Sequence, residues 1–187
     1  MVNEIIKAVE VLKSGGTILY PTDTIWGLGC DPTNSEAVNK IFEIKQREDT
    51  KSMLVLVNSI YMLSNYIMEL PNMAEKLIET TDKPLTIIYD QAINLAPNLI
   101  SSDGSIGIRL SRDEFTQGLI KNYKKPVVST SANISGKKPP RYYSEIDNKI
   151  INAVDYVVNW RKQETTPSVQ SGIIKLGING EIKIIRE

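Results

Sequence analysis

The sequence predicts a single α/β domain, a twisted, mixed sheet flanked by helices, running through residues 1–187. Three observations carry this. Strand-length apolar runs alternate with amphipathic runs of helix length, the pattern of helices packed on a sheet. The last two apolar runs flank Asn179-Gly180, a strong hairpin signal, so the sheet contains an antiparallel pair. No repeat or low-complexity linker divides the 187 residues, a length that suits one core; GKKPPR (136–141) is too short to separate two domains.

Taken in order, residues 4–13 place Ile5, Ile6, Val9 and Leu12 on one helical face and stop at Gly15-Gly16. TILYP reads as a buried strand, followed by a polar loop with Thr22, Asp23 and Thr24. A second helix starts at Ser35, a good N-cap, and carries Val38, Ile41, Phe42 and Lys45. MLVLV (53–57) is a strand, and Ser59 to about Thr80 forms one or two helices divided near Pro71. LTIIY (85–89), IGIRL (106–110) and PVVST (126–130) are strands, with a helix between the last two. DYVVN (155–159), GIIKL (172–176) and EIKII (181–185) complete the set.

Lys plus Arg and Asp plus Glu both number 22, giving a formal net charge of zero. That argues against a non-specific nucleic-acid binder, which needs a basic excess. The lone Cys30 excludes an internal disulfide and a thiolate zinc cluster. The absence of histidine removes Ser-His-Asp and Cys-His catalysis together with the commonest transition-metal ligand. Catalysis must therefore rest on Lys, Arg, hydroxyls, carboxylates, backbone dipoles or a hard cation. The N-terminal MVNEIIKAVEVLK has acidic residues and no long apolar run, and no stretch reaches membrane-spanning length, so a cytoplasmic protein is expected.

Polar clusters sit at the ends of apolar strands in four places: PTDT (21–24), the run from Lys45 through Arg47 to Lys51, Arg109, and STSANISG (129–136). Ligands of open α/β sheets bind beyond strand ends, which points to one shared pocket. Each cluster also has a plainer explanation. PTDT suits a turn, cations favour a helix C-terminus, Arg109 could form a structural ion pair, and the serines could line a simple turn. Their functional alternatives are a polyphosphate clamp, a fork for a carboxylate and a phosphate or sugar nest. Neither a Walker loop nor G-x-G-x-x-G is present. From residue chemistry alone the chain is an anion-binding α/β domain.

Taken together, YPTDTIWGLGCDP, KQREDTKSMLVLV, SIGIRLS and STSANISG, in this order, resemble the YrdC-like family of threonylcarbamoyl-adenylate synthases in its short form. The resemblance covers nearly the whole chain. It implies that threonine, bicarbonate and ATP become threonylcarbamoyl-AMP and pyrophosphate for tRNA modification, with Mg2+ accompanying ATP and no metal ligands assigned to the protein. It implies threonine contacts from Thr24, Arg109 and Ser129, and ATP contacts from Arg47, Lys51, Ser105, Ser131 and the neighbourhood of Pro139. Lys45 matches the family's basic pair, Asn133 its S-A-N motif and Arg186 a nucleotide-binding arginine. Lys45, Arg47 and Lys51 are expected to stabilise the transferring nucleotidyl group. Glu48 and Ser111 replace usual prolines, and Leu56 stands where many relatives carry a histidine. The family's closing serine falls on Ser171 if the strand GIIKL is matched without a gap, with Ser168 as the rival. tRNA or tRNA-modification proteins are further partners the resemblance allows. The competing readings are an RNA-binding module without turnover and a carbamoyl transferase.

Overall fold

The computed structural model describes residues 1–46, 53–167 and 169–187. The chain opens with α1 (Val2–Lys13), β1 (Ile18–Tyr20), β2 (Gly27–Gly29) and α2 (Ser35–Lys45). It continues through β3 (Leu54–Val57), α3 (Ile60–Ser64), α4 (Asn72–Thr80), β4 (Leu85–Tyr89) and β5 (Ile106–Leu110). Next come α5 (Glu114–Tyr123), β6 (Val127–Ser131), a 3-10 turn (Tyr143–Glu145) and α6 (Asn148–Ala153). The strands β7 (Tyr156–Val157), β8 (Gly172–Leu176) and β9 (Ile182–Arg186) end the chain.

Among the described residues these strands form one mixed sheet in the order β7-β1-β2-β6-β3-β5-β4-β8-β9. β3 runs parallel to β5 and β4 parallel to β8, whereas β6–β3, β4–β5 and the closing β8–β9 hairpin are antiparallel. The predicted class and mixed sheet are both present. α2 is capped by Asn34 rather than by the expected Ser35: the Asn34 side chain accepts from the Glu36 and Ala37 amides. As expected, the 59–80 stretch divides, with Pro71 directly before α4.

The two faces of the sheet are covered unequally. Successive residues point to opposite faces, so the sheet packs on two apolar clusters, one on each face. One face sends Leu19, Val55, Val57, Ile87, Ile106, Ile108 and Val128 into a cluster with Ala37, Val38, Ile41 and Phe42 of α2 and with Leu63 and Ile150. The other face sends Ile18, Tyr20, Leu56 and Val127 against Ile5, Val9 and Leu12 of α1 and Phe115, Leu119 and Ile120 of α5. Each such side chain stabilises the fold by about 1.5–3 kcal/mol of burial. The α1–α5 layer covers β1 and the near ends of β6 and β3. Among the described residues, the same face is left without a helix over β5, β4 and β8.

Candidate active site

The bare part of that face is a cleft of about 250 Å³, floored by Leu54, Gly107, Ile88 and Ile173 and rimmed by Thr24, Arg109, Ser129, Ser131, Ser171 and Arg186. Strand register explains the gathering. Leu54 pairs with both Gly107 and Ser129, which sets these three in one row across three strands, and Gly27 pairs with Ser131 in the next row on the same face. Gly27 permits the close packing at the end of that row: a Cβ there would stand 2.9 Å from Ser129 Oγ.

Arg109 is 3% exposed. Its Nη2 lies 2.9 Å from Asp23 Oδ1, but the ion pair is not aligned as a hydrogen bond. Among the described residues neither Arg109 Nε nor Asp23 Oδ1 has a hydrogen-bond partner. An unmet buried donor costs about 1–3 kcal/mol. A ligand carboxylate would meet this one with the fork geometry that guanidinium prefers.

The PTDT loop is tied by Thr22. Its Oγ1 donates to the Ile25 carbonyl (2.8 Å), accepts from the Thr24 amide (3.1 Å) and bonds to Thr24 Oγ1 (3.0 Å). The turn explanation and the site explanation of PTDT therefore hold together, because the turn fixes Thr24 at the cleft rim.

On the opposite rim Ser171 Oγ and Thr86 Oγ1 are hydrogen-bonded at 2.9 Å. Arg186 donates from Nε to the Ser171 carbonyl (2.9 Å) and from Nη1 to Gln170 Oε1 (2.6 Å). Burial, and then the charge of Arg109, hold the Arg186 guanidinium below its ordinary pKa. Two cations thus face one cleft.

Lys45 occupies a different place. Where a phosphate contact is expected of it, its buried ammonium donates to the carbonyls of Ser131 and Asn133, the latter at 2.8 Å. In return the Ser135 amide donates to the Lys45 carbonyl at 2.8 Å. Lys45 therefore fastens the end of α2 to the STSANISG loop, and it does not line the cleft.

Ser105 also lies outside the lining, its hydroxyl donated to Asp103 at 2.6 Å. Asn133 borders an adjoining hollow of about 260 Å³ with Lys137, Lys138 and Pro140. Its amide donates to the Ile134 and Lys137 carbonyls, while its Oδ1 has no hydrogen-bond partner among the described residues. Pro139 is half-buried in the same loop.

Arg47, Lys51, Glu48 and Ser168 lie outside the described residues. Leu56 is fully buried under the α1–α5 layer beside Arg109 in register, and does not line the cleft. Thr86 and Gln170 line the cleft without having been anticipated. The signal for Thr86 was a lone threonine within the apolar run LTIIY. Cys30 is buried, and desolvation raises its thiol pKa, which leaves it a poor nucleophile at neutral pH.

Comparison with known proteins places this cleft in a family. The family model Sua5/YciO/YrdC, described as "Telomere recombination", matches residues 10–187. A threonylcarbamoyl-AMP synthase of Photobacterium profundum is 33% identical over 147 residues, 77% of this chain and 80% of the relative. E. coli YciO is similar in structure with a TM-score of 0.86 at 25% identity, covering 100% of this chain and 90% of that one. P. abyssi Sua5, solved in complex with L-threonine, superposes with a TM-score of 0.84 at 23% identity, covering 94% of this chain. This chain spans about half of that protein's length, 52%. By the family match and by the identity to the synthase, the chain belongs to the Sua5/YciO/YrdC family.

Proposed function

We propose that this protein joins L-threonine, bicarbonate and ATP into threonylcarbamoyl-AMP, releasing pyrophosphate. The product is the activated group for threonylcarbamoyladenosine in tRNA, made in the cytoplasm and passed to the tRNA-modification machinery. The observation that carries the reading is the convergence of two guanidiniums, Arg109 and Arg186, with the hydroxyls of Thr24, Thr86, Ser129 and Ser171 in one cleft. Relatives named threonylcarbamoyl-AMP synthase, at 29–33% identity over most of the chain, support the same reaction.

The threonine amine takes up carbon dioxide derived from bicarbonate and becomes a carbamate. One carbamate oxygen attacks the α-phosphorus of ATP, a phosphorus–oxygen bond forms, and the bond to the pyrophosphate oxygen breaks. No protein nucleophile is required, which suits a chain without histidine and with a buried cysteine. Catalysis is positioning and charge stabilisation.

Arg109 holds the threonine carboxylate with the donor left unmet by Asp23. Ser129, Thr24 and Ser171 orient the amino acid from both rims. Arg186, with Arg47 and Lys51, faces the nucleotide, and Ser131, Asn133 and Pro139 border it, while Ser105, its hydroxyl held by Asp103, lies outside the lining. Lys45 acts one step back, by fixing the loop that carries Ser131 and Asn133. The lining of hydroxyls and guanidiniums suits an anion that brings its own cation. Magnesium on the ATP phosphates would neutralise charge as pyrophosphate departs.

Pyrophosphate release tests the reading. It should require threonine and bicarbonate together, and equal release without threonine would rule the synthase out.

A further inference from the structure

We infer that Arg161, which lies outside the cleft, is a positioning residue for the threonine half of the site; the inference rests on the proposed function. Arg161 follows β7 in the connection that carries the chain back towards β8. Its Nη1 donates to Asp113 Oδ1 at 2.7 Å and to the Thr22 carbonyl at 3.2 Å, and its Nε donates to Glu164 at 2.5 Å. The side chain is 28% exposed and that of Asp113 10%.

Each partner leads to the cleft. The Thr22 carbonyl belongs to the residue whose hydroxyl fixes Thr24, and Asp23 beside it is the partner of Arg109. Asp113 is the N-cap of α5, accepting from the Thr116 amide at 2.8 Å, and α5 is half of the layer that covers the neighbouring part of the same sheet face. One guanidinium therefore joins the PTDT loop to the start of α5.

The backbone is consistent with this duty. Arg161 has a φ of 59°, a left-handed conformation that L-residues with side chains avoid. The surrounding bonds hold it there, as at sites where local strain serves a geometry. Lys162 adds a second tie, its ammonium 4.9 Å from the Tyr143 ring, which itself packs on Trp26 at the far end of the same loop. No substrate atom need touch Arg161; it acts through Thr24 and Asp23.

The test pairs kinetics with a reading independent of turnover. The chain has two tryptophans, so Trp160→Phe leaves Trp26, buried at the end of the PTDT loop, as the only reporter. In that background Arg161→Ala should increase acrylamide quenching of Trp26 roughly twofold, as expected for a loosened loop. It should raise the KM for threonine roughly five- to twentyfold and change the KM for ATP less than about twofold, because misplacement costs only the half of the site it affects. Arg161→Lys should recover part of the threonine KM, since a single ammonium reaches one of the two partners. Glu164→Gln, which breaks only the outward arm, should match the parent.

Unchanged Trp26 quenching in Arg161→Ala overturns the inference whatever the activity. So does a rise of both KM values together, the mark of general destabilisation. A parent protein without threonine-dependent pyrophosphate release would instead defeat the proposed function, leaving the quenching result to decide the role of Arg161 by itself.

Discussion

Two aspartates eight residues apart in sequence, Asp31 buried and Asp23 half-buried, have opposite fates. Asp31, after β2, accepts from Tyr123 Oη (2.5 Å), Lys125 Nζ (2.9 Å), Thr33 Oγ1 (2.6 Å) and the Thr33 amide (2.8 Å). Burial pushes its carboxyl pKa up, but the hydrogen bonds from Thr33, Tyr123 and Lys125 outweigh this and bring it below the ordinary value. Among the described residues Asp23, in the PTDT loop, forms its one ion pair with Arg109, and the pair leaves Oδ1 and Nε without hydrogen bonds. The saturated network is a structural joint between α5 and the loop before α2. The unsaturated one borders the cleft. A partly met buried charge is costly to folding and is retained where a ligand completes it.

The largest expected effect is at the unsaturated pair. Arg109→Lys keeps the charge and loses the planar fork, so threonine binding should weaken by about 1.5–3 kcal/mol, roughly 10- to 150-fold. ATP binding should hold and the melting temperature should change little. A fall in ATP affinity with threonine affinity intact would reverse the assignment.

The saturated network should respond in stability instead. Asp31→Asn weakens charge-assisted bonds and should cost about 1–2 kcal/mol, lowering the melting temperature by roughly 3–8 °C. Threonine KM should be unaffected below that temperature. The sign with pH follows from the depressed pKa. The stability given by ionised Asp31 is present above its unfolded value, about 3.9, and is lost as pH falls through the folded value. The gap in melting temperature between the protein and Asp31→Asn should therefore narrow as pH drops below about 4. A gap independent of pH would place the stabilisation in packing.

The smallest effect sharpens the register at the second rim. Ser171 is 2% exposed and bonded to Thr86 in the cleft. Ser171→Ala should raise the threonine KM by about 0.5–1.5 kcal/mol, roughly two- to twelvefold, and Ser168→Ala should change little. The reverse pattern would move the contact to Ser168.

Much of this was legible in the sequence because strands with long side chains announce themselves. LTIIY, IGIRL and GIIKL match β4, β5 and β8 residue for residue. β2 was hidden. Gly-Leu-Gly has no apolar alternation to read, since its glycines answer to neighbours distant in sequence: a Cβ on Gly29 would stand 2.6 Å from Tyr20 Cε1. α6, six residues long, is too short for helical periodicity to accumulate.

In the site, Thr24, Arg109, Ser129 and Ser131 come together as the strand-end pattern implied, and Ser171 and Arg186, which only the family resemblance pointed to, join them. Lys45 could not be placed from pattern, because a lysine at a helix end looks the same whether it meets phosphate or a carbonyl. Arg161 was invisible for a related reason: its partners are 48 and 139 residues away.

The central claim is the synthesis of an adenylate from three substrates in one cleft, and the direct measurement is of the product. The protein is mixed with L-threonine, isotopically labelled bicarbonate and Mg-ATP, and the reaction is followed by mass spectrometry. The account predicts threonylcarbamoyl-AMP carrying the label in its carbamoyl carbon, absent when threonine is withheld and much reduced in Arg109→Lys. ATP consumed with no labelled adenylate, or an equal yield without threonine, would contradict it.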